Sequence, residues 1–234
     1  MNQNTKNVMT VSALLLLLVG PCFAVVPNYV VKNMELEAAS FFQMMSMVAA
    51  FGVILIVNWA IIRSQKIDIR SIGFGAPSPG WVIVMAAIIG IFWAISSTAS
   101  LRGIDPEADV VAIWTTFSFT RVVLVVFGAT FACVEDFITR GFVMSQLKER
   151  GVPTWVQLLF SSFLFAAYHS LWAIPYMGVY FLYGLFGSLV YGLLLGGIYL
   201  LGKRSLTPVM ISHGLTVVLG EPILSYVLMK PYTL

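Results

Sequence analysis

Seven stretches of this chain are apolar for about 20 residues each, the length a helix needs to cross the hydrocarbon core of a bilayer. They lie at roughly 9–27, 39–62, 80–100, 112–134, 154–174, 179–201 and 207–228. Backbone polar groups inside lipid have no water to bond, so runs of this kind must close their hydrogen bonds internally, as helices. Short polar or helix-breaking segments separate them, among them Lys32-Asn33-Met34-Glu35, Ala76-Pro77-Ser78-Pro79-Gly80, Asp105-Pro106-Glu107 and Gly202-Lys203-Arg204. None is long enough to hold a separate soluble domain. Residues 1–234 therefore read as a single integral membrane domain of the all-α class, a polytopic transmembrane bundle of about seven spans.

Composition agrees. Charged residues make up 10% of the 234 residues, against about 25% in a soluble domain, too few to coat a water-facing surface. The net charge of +3 is spread without a basic cluster, which argues against a nucleic-acid partner and leaves membrane lipid as the solvent. Cys22 and Cys133 sit in unrelated apolar contexts and exclude a disulfide framework. The first run is ambiguous: Lys6, the stretch Ala13 to Val19, Pro21 and the small residues around Cys22 and Ala24 suit either a first span or a cleavable signal-like segment at 1–27. We read it as a retained span.

Lysine and arginine are held on the cytoplasmic side of a membrane. With the N-terminus inside, nine fall on the inner side: Lys6, Arg63, Lys66, Arg70, Arg140, Lys148, Arg150, Lys203 and Arg204. Three, Lys32, Arg102 and Lys230, fall outside, and Arg121 lies within a span. The expected topology is N-terminus cytoplasmic, C-terminus outside. In the sixth run Gly184, Ser188, Gly192 and Gly196 recur every fourth position, a flat stripe along which another backbone can approach closely. Internal helix packing is the favoured use of it, a homo-oligomer seam the other.

Ionisable residues in a span are costly and usually face the bundle interior with a task to perform. Here they are Arg121, Glu135, Asp136, Arg140, His169, His213 and Glu221. Asp136 and Arg140, four apart, share a helix face and suit an ion pair. Glu135 is turned about 100° away, free to point into the bundle as a general base. Counted from the inner loops at ~1.5 Å per residue, His213 lies roughly 13 Å deep, Glu135 about 18 Å and His169 about 24 Å. Those depths are compatible with one cytoplasmic-side pocket, His169 being the poorest fit. A carboxylate and two imidazoles around a water make a site for hydrolysis or proton transfer. Taken one at a time, each histidine could as well donate to a backbone carbonyl, and the acid–arginine pair could simply brace a helix. Arg121 and Glu221 both lie about 10 Å from the outer end of their spans and are expected to pair.

Three motifs in order resemble a known family. Glu135-Asp136-x-x-x-Arg140-Gly141-Phe142, then Phe165-x-x-x-His169, then Pro208-x-x-x-x-His213-Gly214 are similar to the pattern of the CPBP family, the CAAX-protease and bacteriocin-processing (Abi-type) intramembrane endopeptidases. The resemblance covers about residues 110–225, the expected catalytic core. It implies a helical bundle with a cytosol-facing intramembrane polar cavity. In it Glu135 would activate a water against a peptide carbonyl, His169 would help polarise that water, and His213 would be a second polar group, at the oxyanion. Asp136, Arg140 and Phe165 would be supporting residues.

Two positions depart from the pattern: Asp136 stands for a second glutamate, and Val217 stands where the family has Asn or Asp, four residues after the last histidine. A valine cannot hydrogen-bond the reacting centre, so Thr216 or a backbone group would have to substitute, or the protein would be slow or non-proteolytic. Glu135, His169 and His213 have the ligand types of a His₂Glu zinc site. The chain has no His-Glu-x-x-His motif, and the family's mechanism is also read as glutamate-activated water, so zinc is possible but no cofactor is expected to be obligatory. The implied substrate is a membrane-delivered peptide or lipidated protein, and the setting a bacterial inner (plasma) membrane. The alternative is a catalytically weak or inactive member serving as a membrane scaffold or bacteriocin-immunity protein. A transporter would predict matching inverted halves with broken helices, and these are not visible.

Overall fold

A computed structural model describes residues 36–229, apart from 65, 67, 117–118 and 178–180; the run at 9–27 lies outside the described residues. Helix α1 spans Leu36–Ser64, α2 Gly80–Ile104 and the short α3 Val110–Thr115. Helix α4 runs Phe119–Asp136 and continues through a π-helical segment, Phe137–Met144, into α5, Ser145–Glu149. Thr154–Met177, Phe181–Leu201 and Thr207–Met229 form α6, α7 and α8. No strand occurs among the described residues. The fold is all-helical.

Three of these helical stretches are long and apolar enough to cross a membrane: Gly80–Gly103, Arg121–Glu149 and Gly184–Leu201. The pattern of burial on α2 shows why lipid must be the solvent. Val82, Ala86 and Ala94 are buried, while Trp81, Val84, Ile88, Phe92 and Ile95 on the opposite face are exposed. A helix whose exposed face is as apolar as its buried one would be an aggregation liability in water and is stable in hydrocarbon. Phe119, Val122 and Val126 of α4 and Trp155, Leu159 and Phe163 of α6 repeat the arrangement. The chain is an integral membrane protein.

The fourth span differs from the sequence expectation of 112–134. Its first part is a separate helix, α3, capped by the Asp109 carboxylate accepting from the Ala112 amide and ended by Thr116 in extended conformation. The crossing segment begins at Arg121 and reaches Glu149. A hydropathy reading stops at Glu135 because it counts Glu135, Asp136 and Arg140 as charges facing solvent. Here all three are buried, so the helix carries them through the bundle. The consequence is functional: Glu135 lies in mid-span.

Close helix approach replaces hydrophobic burial as the packing device, as expected where the solvent is itself apolar. A Cβ on Gly90 of α2 would collide with the Ser212 carbonyl of α8, and one on Gly192 of α7 would stand 3.1 Å from Ser162 Cα of α6. Gly196 likewise faces Leu158. Gly192 and Gly196 of the small-residue stripe are thus engaged by α6, the internal use of that stripe. The interior cluster joins Val82 and Ala86 (α2), Met144 (π segment), Phe165 (α6), Tyr191, Leu195 and Tyr199 (α7), and Leu206 and Val209. On the side of Arg121, its Nε lies 2.9 Å from Glu221 Oε2, and Nη1 donates to the Ile113 carbonyl at 3.0 Å. That is the pairing expected from their common depth, and it ties α3, α4 and α8 together.

Candidate active site

Glu135 closes the last α-helical turn of α4, and the π-helical segment starts two residues later. A π turn inserts an extra residue and re-aims the side chains beyond it, and such turns are frequent at functional sites. Here the segment is held from outside: Ser161 of α6 donates to the Thr139 carbonyl at 2.8 Å. Thr139 itself donates back to the Glu135 carbonyl at 2.6 Å. Asp136 and Arg140, at the predicted four-residue spacing, pair at 3.1 Å with both side chains fully buried. The remaining guanidinium contacts are Nη1 to Thr139 Oγ1, 2.8 Å, and Nη2 to the Gly192 carbonyl of α7, 3.2 Å. The Arg140 Cζ also sits 4.3 Å over the Phe165 ring.

The expected trio converges. His169 Nε2 is 3.7 Å and His213 Nε2 3.8 Å from the same oxygen, Glu135 Oε2, and the three candidate ligand atoms lie within 4.8 Å of one another. The sequence estimate put His169 about 11 Å deeper than His213; counting residues from loops treated the helices as upright and their ends as aligned, and the convergence means that the two assumptions do not both hold. Glu135 and His213 side chains are 4% exposed, His169 32%. The cluster therefore opens at His169.

Hydrogen bonds on the far side of each ring fix how the two imidazoles face. His169 Nδ1 lies 2.9 Å from the Phe165 carbonyl, an oxygen that can only accept, so Nδ1 carries the proton. His213 Nδ1 lies 3.1 Å from Asp136 Oδ2; Asp136 is paired with Arg140 as a carboxylate and accepts likewise. Each neutral imidazole then presents the bare lone pair of Nε2 to Glu135, the arrangement that also orients histidine ligands on metals. Phe165 packs against both rings, with centroids at 4.1 Å from His169 and 5.3 Å from His213.

With Glu135 ionised and both rings neutral, three acceptors face one another and need a shared donor or cation. The spacings are too wide for direct hydrogen bonds and suit one oxygen in contact with all three at about 2.8 Å. A divalent ion at ~2.0–2.2 Å from each ligand would require a small inward closure; the donor set and its outer partners fit one.

Val217, one turn beyond His213, meets Gly128 of α4: a Cβ on Gly128 would stand 2.8 Å from Val217 Cγ1. Thr216, the side chain that could have replaced the missing amide, is committed elsewhere. Its hydroxyl lies 3.0 Å from the carbonyls of Gly90 and Ser212 and 2.6 Å from the Tyr191 hydroxyl. It is turned toward α2. Sequence reasoning missed Tyr168, whose ring stands edge-on to His169 with centroids 5.2 Å apart, and Tyr191, stacked on Trp93 at 4.8 Å and edge-on to His213. Tyr168 had one legible signal, its place beside His169; Tyr191 had none.

No curated protein and no solved structure matches the sequence. The sequence model of one family does, that described as Type II CAAX prenyl endopeptidase Rce1-like, over residues 113–219. That stretch contains Glu135, His169 and His213 and nearly coincides with the 110–225 core expected from the motifs, so over residues 113–219 the chain is similar to the Rce1-like type II CAAX prenyl endopeptidases, a protease family.

Proposed function

We propose that this protein is an intramembrane endopeptidase that hydrolyses a peptide bond in a membrane-delivered peptide or lipidated protein, using a water activated by Glu135. The observation that carries the reading is the convergence of one carboxylate and two Nε2 lone pairs in mid-bundle. A water seated among them donates one hydrogen to Glu135 and the other to an imidazole, leaving an oxygen lone pair for the scissile carbonyl. As the C–O bond forms, Glu135 takes the first proton and the carbonyl electrons move onto oxygen. When the intermediate collapses, the C–N bond breaks and Glu135 returns its proton to the leaving amine.

His213, backed by Asp136, is the ring best built to bear positive charge transiently, since a buried carboxylate at Nδ1–H holds the tautomer and stabilises the imidazolium. His169, at the exposed edge, is placed to meet substrate. Glu135, His169 and His213 could hold a zinc ion, which would supply Lewis acidity and a more acidic water; the proton path above uses the chain's own groups. The site is read as opening to the cytoplasm of a bacterial inner membrane, with the N-terminus inside.

The test is cleavage of a quenched peptide library, containing lipidated and unlipidated members, by purified protein in detergent. Wild type should cut and Glu135→Gln should not; cutting that survives Glu135→Gln ends this mechanism. Sensitivity to a chelator, restored by zinc, would assign the three ligands a resident metal. No cutting at all by wild type would favour a non-proteolytic membrane scaffold or immunity protein, the reading to which the apolar Val217 contributes.

A further inference from the structure

Glu135, His169 and His213 come from α4, α6 and α8. Helix α7 supplies none of them, yet two of its successive residues bond the elements that hold them. The Tyr191 hydroxyl lies 2.6 Å from Thr216 Oγ1 and 3.3 Å from Ser212 Oγ. The next residue, Gly192, accepts from Arg140 Nη2 through its carbonyl at 3.2 Å. Ser212 and Thr216 are one turn apart on α8 and share a face, with His213 turned about 100° from Ser212. The Tyr191 ring is 3% exposed. It stands edge-on to the His213 ring, centroids 5.9 Å apart, and is stacked on Trp93 of α2.

The direction of each bond follows from its neighbours. Thr216 has one hydroxyl hydrogen, and its oxygen lies 3.0 Å from the carbonyls of Gly90 and Ser212, which can only accept. That hydrogen must serve a carbonyl, so Tyr191 donates to Thr216, and the Ser212 hydroxyl is left to donate to the Tyr191 oxygen. One phenol thus ties both hydroxyls of the α8 turn that carries His213. The contacts also close on themselves. His213 Nδ1 meets Asp136 Oδ2 at 3.1 Å, Asp136 Oδ1 meets Arg140 at 3.1 Å, and Arg140 returns to α7 at Gly192. His213 is the member of this ring that presents Nε2 to Glu135 Oε2, 3.8 Å away.

We propose that Tyr191 is a positioning residue for His213: its hydroxyl fixes the height and rotation of the α8 turn so that Nε2 meets the water held by Glu135. This rests on the peptidase reading above. With the hydroxyl gone, His213 keeps its bond to Asp136, but the turn that carries it is free to shift about that bond. A displacement of ~1 Å at a reacting group can cost ~10²-fold in rate. Tyr191 acts on the base and not on the substrate, so the loss belongs to the chemical step.

The experiment is steady-state cleavage, with thermal unfolding of each protein, of the library peptide that wild type cuts best. The variants are Tyr191→Phe, Thr216→Val, the two combined, Thr216→Ser and Tyr199→Phe. Tyr191→Phe and Thr216→Val should each lower kcat by ~10–100-fold with KM little changed. The double variant should fall no further than the worse single one, because both remove the same bond. Thr216→Ser keeps the hydroxyl and should retain most of the wild-type kcat. Tyr199, a second buried phenol of α7, bonds Ser145 and the Ile72 carbonyl instead. Tyr199→Phe should therefore loosen α7 without lowering kcat. Tyr191→Phe at wild-type kcat, losses that multiply in the double variant, or an equal loss in Tyr199→Phe overturns the assignment while the peptidase reading stands. Wild type without any turnover overturns that reading and this assignment with it. Thr216→Val breaks the bond from its other end and decides the matter alone if Tyr191→Phe does not fold.

Discussion

Asp136 is bonded on both of its oxygens, Oδ1 to Arg140 and Oδ2 to His213, with no exposed surface. It therefore joins the Arg140 brace on its own helix to His213 on α8, and its loss would leave a buried guanidinium without its carboxylate. Breaking a buried ion pair from one side costs roughly 3–5 kcal/mol, more than the pair itself contributes, because the orphaned charge remains in low dielectric. Asp136→Ala should accordingly lower the unfolding temperature in detergent steeply, whereas Asp136→Asn, which keeps an acceptor for His213, should fall between it and wild type. An Asp136→Ala protein as stable as wild type would show that Arg140 is solvated by something else. Half of this hub was legible in sequence. The Asp136–Arg140 pair follows from four-residue spacing on one helix. The His213 bond joins residues 77 apart, a relation that no local periodicity encodes.

Element by element, the helices fall where apolar runs lie, but two features escape such a reading because both depend on partners. The π segment after Glu135 is held by Ser161 of α6, and the shift of the fourth span to Arg121–Glu149 depends on charges neutralised by contacts from other helices. Close approach of α2 to α8 depends in turn on a missing side chain. Gly90→Ala should push the Ser212 backbone away, since a Cβ there has no room, and should lower the unfolding temperature. Gly103→Ala on the same helix meets nothing within 4 Å and should be neutral or stabilise by up to about 1 kcal/mol through lost backbone entropy in the unfolded chain. Equal effects at the two positions would refute the close-packing account of the α2–α8 seam. The Arg121–Glu221 pair makes a parallel case. Arg121→Met should destabilise by a few kcal/mol, on the order of the cost of breaking a buried ion pair from one side. Adding Glu221→Met should recover most of that in a double-mutant cycle; simple additivity would mean that the two side chains are not coupled.

For the molecule as a whole, the depth and orientation of the site depend on which ends of the helices face the cytoplasm. Trp59 near the end of α1, Trp81 at the start of α2 and Trp155 at the start of α6 are all exposed, and these three helix ends adjoin Arg63 in the last turn of α1 and the loops that hold Arg70 and Arg150. Exposed tryptophans beside basic loops are the signature of a membrane–water boundary, and the Arg63 guanidinium lies 5.3 Å over the Trp59 ring. If that boundary is the cytoplasmic one, substrate reaches His169 and Glu135 from inside the cell, and the acidic segment Asp105 to Asp109 faces out. Single cysteines in a Cys22→Ser, Cys133→Ser background decide the matter. In intact spheroplasts Glu107→Cys should react with a membrane-impermeant maleimide, and Arg150→Cys should react only after lysis. The opposite pattern would invert the molecule: the basic loops would then mark the outer surface, and a lipidated cytosolic protein could not be the substrate, because the site would open away from it.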